Sequence, residues 1–172
     1  PCIVIAATSP SDCFDYAYMS AKLSLEHMTP VILLTDGFLA NGSQPWKIKS
    51  MNELPSITPR IQKDKLSEHT PFMRNNDTLA RNWVIPGTPE LMHRIGSLEK
   101  DYVTGQASHV PENHHKMVAL RKEKVDKVVS KIPHIQVEGE EYGDLLVVGW
   151  GGTYGHLLSA VQELLLEGKH VA

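Results

Sequence analysis

The chain has 172 residues, of which 41% are hydrophobic and 22% charged, and its formal net charge is -3. That balance fits a globular protein with one good core or two small units, and it excludes a disordered chain. The mild negative charge offers no basic face for nucleic acid, and no apolar run approaches the ~20 residues of a membrane helix.

The first element is a short β-branched run at residues 2–8, the pattern of a strand buried on both faces. A helix follows, with Ser9 as cap, Pro10 at the first helical position and Asp12 where the helix dipole favours an acid. Phe14, Ala17, Tyr18, Ala21, Leu25 and Met28 recur at helical spacing and predict the face that packs on a sheet. Thr29-Pro30 ends the helix, and Val31–Thr35 reads as a second buried strand closed by Asp36-Gly37. Strand, helix and strand with tight connections make a βαβ unit in a parallel sheet. Cys2 and Cys13 are too few for a disulfide framework or a four-cysteine cluster, so a reducing, cytoplasmic setting is the default.

Residues 38–110 lose this regularity. Prolines recur at 45, 55, 59, 71, 86 and 89, yet Trp46, Ile48, Ile57, Phe72, Trp83, Val84 and Ile85 all favour burial. This reads as an ordered arm crossing a neighbouring domain or a partner, the alternative being a disordered linker, which is rarely so rich in Trp and Ile. A helix is predicted from about 111 to 131, with Val118, Val125, Val129 and Ile132 as its apolar stripe. Leu145–Trp150 then reads as a buried strand, Gly151–Gly155 as a turn, and 156–167 as an amphipathic helix stopped by Gly168. His170-Val171-Ala172 looks like a strand beginning. With an apolar start directly after Pro1, the chain reads as an internal fragment.

Four places could carry chemistry. The turn holding Gly149, Gly151, Gly152 and Gly155 could bring backbone amides to a phosphate at a helix start. Its spacing fits neither the dinucleotide fingerprint nor a Walker loop, and a tight packing turn is the plainer reading. Asp36 and Gly37 stand at the carboxyl end of a parallel strand, where ligands gather in open α/β sheets, although a simple turn explains them too. His93, Arg94 and Glu99 fall in a charged loop of the arm, with Arg94 suited to a carboxylate and His93 titrating near neutrality. They are candidates for a substrate or interface site, or for a solvated loop. His109, His114 and His115 lack metal-site spacing, so no metal site is expected.

Taken together, Thr29–Leu39, His93–Asp101, Pro111–His114 and Gly143–Gly155 resemble, in the same order, the α subunit of 2-oxoglutarate:ferredoxin (2-oxoacid:acceptor) oxidoreductases. The resemblance implies an α/β fold. Residues 1–40 would be the end of a parallel-sheet domain of the thiamine-diphosphate pyrimidine-binding type, and 41–110 the connecting arm. Residues 111–133 would form a linker helix, and 134–172 the start of a transketolase-C-terminal-like domain. It further implies an enzyme that decarboxylates a 2-oxoacid, delivers the acyl group to coenzyme A and passes electrons through iron–sulfur clusters to ferredoxin. Thiamine diphosphate, magnesium and the clusters belong to the whole complex with a β subunit, and the fragment alone is expected to bind none of them and to be inactive. Within the family, glycine commonly stands at the position of Ser97. The competing readings are a non-enzymatic phosphate- or nucleotide-binding module on the glycine turn and a structural interaction module.

Overall fold

The computed structural model describes residues 1–64, 70–96 and 98–172. Their contacts gather into two compact units. One comprises Pro1–Ile3, Ala21–Val31 and Pro55–Ile132, and the other Val4–Ser20, Ile32–Leu54 and Pro133–Ala172. Ser97 lies outside the described residues.

The opening βαβ pattern forms as the sequence predicts, with β1 at Ile3–Ala6, α1 at Asp12–His27 and β2 at Val31–Leu34. Ile3 N–H donates to the Pro30 carbonyl at 3.3 Å, and Ala7 N–H to that of Leu34 at 3.1 Å. The equal offset along both chains marks a parallel pair. Ser9 caps the approach to α1 by accepting the Asp12 N–H at 3.3 Å. Asp12 and Asp15 occupy the first turn of the helix, where an acid complements the helix dipole, and His27 its last. Met28, at φ +45°, turns the chain out of the helix.

The faces differ from expectation. In α1 the buried positions are Leu23 and His27, one turn apart. Of the predicted stripe, Phe14, Ala17, Ala21 and Leu25 are exposed, while Tyr18 and Met28 are half-buried. Arm tryptophans lie over parts of it instead: the Trp46 ring sits 4.9 Å from Phe14, and Trp83 Nε1 donates to the Leu25 carbonyl at 2.6 Å. The strands are open on one side, with Val4, Ile32 and Leu34 exposed, and among the described residues the sheet has two strands.

The unit containing Pro55–Ile132 holds a second small parallel sheet. Its strands are β3 (Ile61–Gln62) and β4 (Trp83–Val84), paired Ile61 to Trp83 and Gln62 to Val84. The predicted helix near 111 is α3, Pro111–Asp126, continued by a 3-10 segment at Lys127–Lys131. Proline at its start needs no hydrogen-bond partner there. Its buried residues are Asn113, Met117 and Val128 rather than the valine stripe. With Leu23, His27, Ala80 and Leu91 they form this unit's core.

The other unit buries Ala7, Leu39, Val161 and Val171. α2 (Gly37–Asn41) follows β2, and α4 (Tyr154–Leu166) ends before Gly168 at φ +74°. The strand predicted at Leu145–Trp150 does not form. Leu145 makes one parallel bridge to Val171, supported by Val147 N–H to the Ala172 carbonyl at 2.7 Å. Strands are stabilised by paired neighbours. Here the described neighbour is only the short stretch His170–Ala172, so Leu146, Val148 and Trp150 remain exposed.

Candidate functional site

Asp36 and the glycine turn, two separate sequence candidates, come together in one place. Asp36 stands just past the carboxyl end of β2 and caps α2, its Oδ1 accepting the Leu39 N–H at 2.9 Å. Its Oδ2 accepts the Gly152 N–H at 2.8 Å. The amides of Leu39 and Gly152, helped by that of Phe38, hold this carboxyl below its ordinary range against a weaker opposing effect of desolvation. Gly152 must be glycine for this approach, since a Cβ there would sit 2.4 Å from Asp36 Oδ2. Gly151–Thr153 form a 3-10 turn leading into α4, and the rings of Phe38 and His156 meet 5.7 Å apart. Gly37, by contrast, opens α2 without a positive φ, and a Cβ would meet nothing there.

A cleft of about 760 Å³ opens beside this clamp, walled by Leu33, Leu34, Val148, Trp150 and Leu157 with Asp36 on its rim. Its place at the strand ends is where open α/β sheets bind ligands. Its chemistry is specific. Among the described residues no cation lines it, the Gly152 amide is already engaged, and the charged group in the lining is the Asp36 carboxylate. A phosphate at the glycine turn would face Asp36 rather than a free amide. Among the described residues the lining offers one carboxylate, with both oxygens already accepting amides, which does not fit a diphosphate–magnesium group, and no reaction step is routed through one here. What the arrangement does is fasten the end of β2 to the start of α4.

The charged loop divides. Glu99 is half-buried and takes the Arg121 guanidinium in a bidentate fork, Nη1 to Oε1 and Nη2 to Oε2, both at 3.0 Å. It also meets His114 Nδ1 at 3.1 Å. The Arg121 bonds first, then the one from His114, keep the Glu99 carboxyl below its usual range despite partial burial. His93 Nε2 lies 3.4 Å from Arg81 Nη1, and its ring meets Phe72 edge-on at 5.5 Å. Arg94 is exposed. Arg81, which sequence reasoning passed over, lies over the Phe72 ring at 4.7 Å. Arg121 and Lys124 were also missed. Their signal was the spacing of Asn113, Met117, Arg121, Lys124 and Val128, which puts both cations on the inward face of α3.

The sequence pattern of the family described as "Pyruvate flavodoxin/ferredoxin oxidoreductase, thiamine diP-bdg" matches residues 1–104. The 2-oxoglutarate oxidoreductase subunit KorA of Mycobacterium tuberculosis is 42% identical, over 100% of this chain and 26% of that protein. The 2-oxoacid:ferredoxin oxidoreductase subunit alpha of Saccharolobus solfataricus is 28% identical, over 98% of this chain and 27% of its own. Among solved structures, the 2-oxoglutarate:ferredoxin oxidoreductase of Magnetococcus marinus, determined with 2-oxoglutarate, coenzyme A and succinyl-CoA bound, matches with a TM-score of 0.85. That match is 28% identical and covers 99% of this chain and 30% of the other. The chain thus spans about a quarter of the length of the curated relatives it matches.

Proposed function

The chain belongs to the pyruvate flavodoxin/ferredoxin oxidoreductase family, the thiamine-diphosphate-binding one, and on that premise we propose that it is part of the α subunit of a 2-oxoglutarate:ferredoxin oxidoreductase. The observation that carries this reading is the identity to the mycobacterial 2-oxoglutarate oxidoreductase subunit, which runs through the whole chain. In the proposed reaction a 2-oxoacid, 2-oxoglutarate first, is oxidatively decarboxylated to its acyl-CoA while electrons pass through iron–sulfur clusters to ferredoxin. Thiamine diphosphate with magnesium supplies the carbanion sink in such an enzyme.

The residues of this chain act as framework in that reading. Asp36 ties the end of β2 to the turn before α4, and Glu99 ties the arm to α3 through Arg121. The diphosphate–magnesium site and the clusters belong to other parts of the complex, including a β subunit. The layout of a pyrimidine-domain end at 1–40, an arm at 41–110, a linker helix at 111–133 and a transketolase-C-terminal-like start at 134–172 is part of the same proposal. So is a cytoplasmic location. Among the described residues, no helix is long and apolar enough to cross a membrane. His93 and Arg94 keep their proposed place near a substrate or subunit surface. The reading as a phosphate module on the glycine turn is disfavoured by the engagement of the Gly152 amide with Asp36.

The test is 2-oxoglutarate-dependent viologen reduction by the intact protein co-purified with its partner subunit, with coenzyme A and thiamine diphosphate supplied. Reduction that stops when 2-oxoglutarate is withheld is expected. A preparation carrying its cofactor and clusters that reduces nothing with any 2-oxoacid would overturn the proposal. Activity with pyruvate alone would correct the substrate and keep the reaction class.

A further inference from the structure

α1 ends on a histidine that the core encloses. His27 is 4% exposed, and its Nδ1 is sealed from solvent without a hydrogen-bond partner among the described residues. Burial first, then the charges of Lys124, Lys131 and Lys22 against that of Glu26, lowers its pKa and keeps the ring neutral at pH 7. A neutral imidazole carries one N–H and one bare nitrogen, and the bare nitrogen is the less costly of the two to bury unpaired. The proton therefore belongs on Nε2. The ring lines a hollow of about 450 Å³, shared with Thr58 and Arg60, the turn at Asp77-Thr78 and the 3-10 segment Lys127–Lys131. Nε2–H, not the sealed Nδ1, is what His27 offers to that space.

The hollow carries both signs, and most of its groups are already committed. Glu26 Oε1 receives Lys22 Nζ at 2.6 Å, and the N–H and hydroxyl of Thr58 at 2.9 and 3.1 Å. Lys127 Nζ lies 3.8 Å from Glu123 Oε1. The Ser130 hydroxyl turns back on the Lys127 carbonyl, and that of Thr78 on Asn75. Arg60, Lys131 and Asp77 are left, all three exposed and none in an ion pair among the described residues. Two free cations thus share the hollow with one free carboxylate, beside the N–H of a neutral ring. The surplus is a single positive charge.

We propose that this hollow binds the carboxylate of a small hydroxy acid, received by Arg60, Lys131 and His27. A carboxylate carries the one negative charge that the surplus requires, whereas a phosphate monoester, at about -1.5 to -2, would leave the hollow negative. Its planar pair of oxygens matches the guanidinium fork of Arg60, with lone pairs to spare for Lys131 and Nε2–H. Asp77, an acceptor without a cationic partner of its own, suits a hydroxyl on the same ligand and repels a second acid. At about 450 Å³ the hollow falls in the size range of small-molecule sites. The site rests on this hollow and not on the oxidoreductase reading.

The test labels the intact protein in its native assembly with phenylglyoxal for arginine and trinitrobenzenesulfonate for lysine, read by peptide mass spectrometry, with lactate as the probe. Expected is labelling of Arg60 and Lys131 slowed about tenfold at ten times the half-saturating lactate, while Arg94 and Lys122 react unchanged. Chloride and phosphate at matched ionic strength are the control ions. Lys131 is exposed, so Lys131→Gln leaves the core untouched, and protecting Arg60 in that variant is expected to take about tenfold more lactate. His27→Phe keeps a ring and removes the N–H, and the same loss is expected; if that variant does not fold, Lys131→Gln and the wild type decide. No protection, protection matched by chloride, or protection of Arg60 unchanged in Lys131→Gln would overturn the site. Phosphate protecting better than lactate would overturn the carboxylate. If Arg60 and Lys131 stay unlabelled without lactate, another part of the assembly covers the hollow and the proposal fails.

Discussion

Glu99 sets the state of its surroundings through charge. Both of its oxygens receive the Arg121 fork, and Oε2 also meets His114. Because these partners lower its pKa in the folded protein, the pair contributes stability above the unfolded carboxyl value of about 4.3. That contribution is lost as pH falls from there through the folded value. Glu99→Gln is expected to cost about 1 kcal/mol at neutral pH, at the low end because water reaches one side of the pair. It should also flatten the acid limb of stability below about pH 4.3. Urea melts of the intact protein at pH 7 and pH 4 measure both, and an acid slope unchanged by the substitution would contradict the assignment. Glu99 was legible in the sequence as a charge in a functional-looking loop. Its partner was not, because Arg121 stands 22 positions away in a helix whose charges read as a solvated face. Arg94 was chosen for a fork that Arg121 in fact provides. Residue type is written in the sequence, but in an irregular segment no period gives the direction of a side chain.

Elements were more legible than their faces. The βαβ opening, α3 and α4 stand where periodicity and punctuation put them, since Ser9, Pro30, Pro111 and Gly168 act locally. The buried stripes of α1 and α3 were misassigned because both helices carry apolar residues on more than one side, and tertiary contacts chose the side with His27 or Lys124. Leu145–Trp150 shows the opposite failure: the strand composition is present, but a ladder is supplied only by its neighbours. In the arm, Gly105 has a precise local task. It sits at φ +71°, and a Cβ there would fall 2.1 Å from Phe72 Cδ2, so it seats the ring that carries Arg81 and His93. Gly105→Ala is expected to destabilise by about 2 kcal/mol or more, combining backbone strain with overpacking. Phe72→Leu should restore part of that loss, so a double-mutant cycle reads the coupling as non-additivity. Strict additivity would mean that Gly105 and Phe72 do not press on each other.

At the scale of the whole molecule, the four ordered segments that marked the family were legible because they are sequence. The Asp36–Gly152 clamp was not, because 116 positions separate its halves. The exposed apolar surface bears on how the chain behaves. Ile135 is 97% exposed, Val148 75% and Trp150 72%, with Val137 and Tyr142 also open. Soluble monomers rarely present so many large apolar groups together, and such surfaces favour association. Produced by itself, the 172-residue chain is therefore expected to bind the hydrophobic dye ANS and to self-associate with rising concentration. In the assembly proposed above, where a longer chain and a partner subunit would cover this surface, neither is expected at equal molar concentration. Replacing Val148 and Trp150 by serine in the isolated chain removes part of that surface without touching Asp36, so dye binding and sedimentation should both fall. A monomeric isolated chain that leaves the dye dark would mean that these side chains find cover within the 172 residues, contrary to their exposure in this fold.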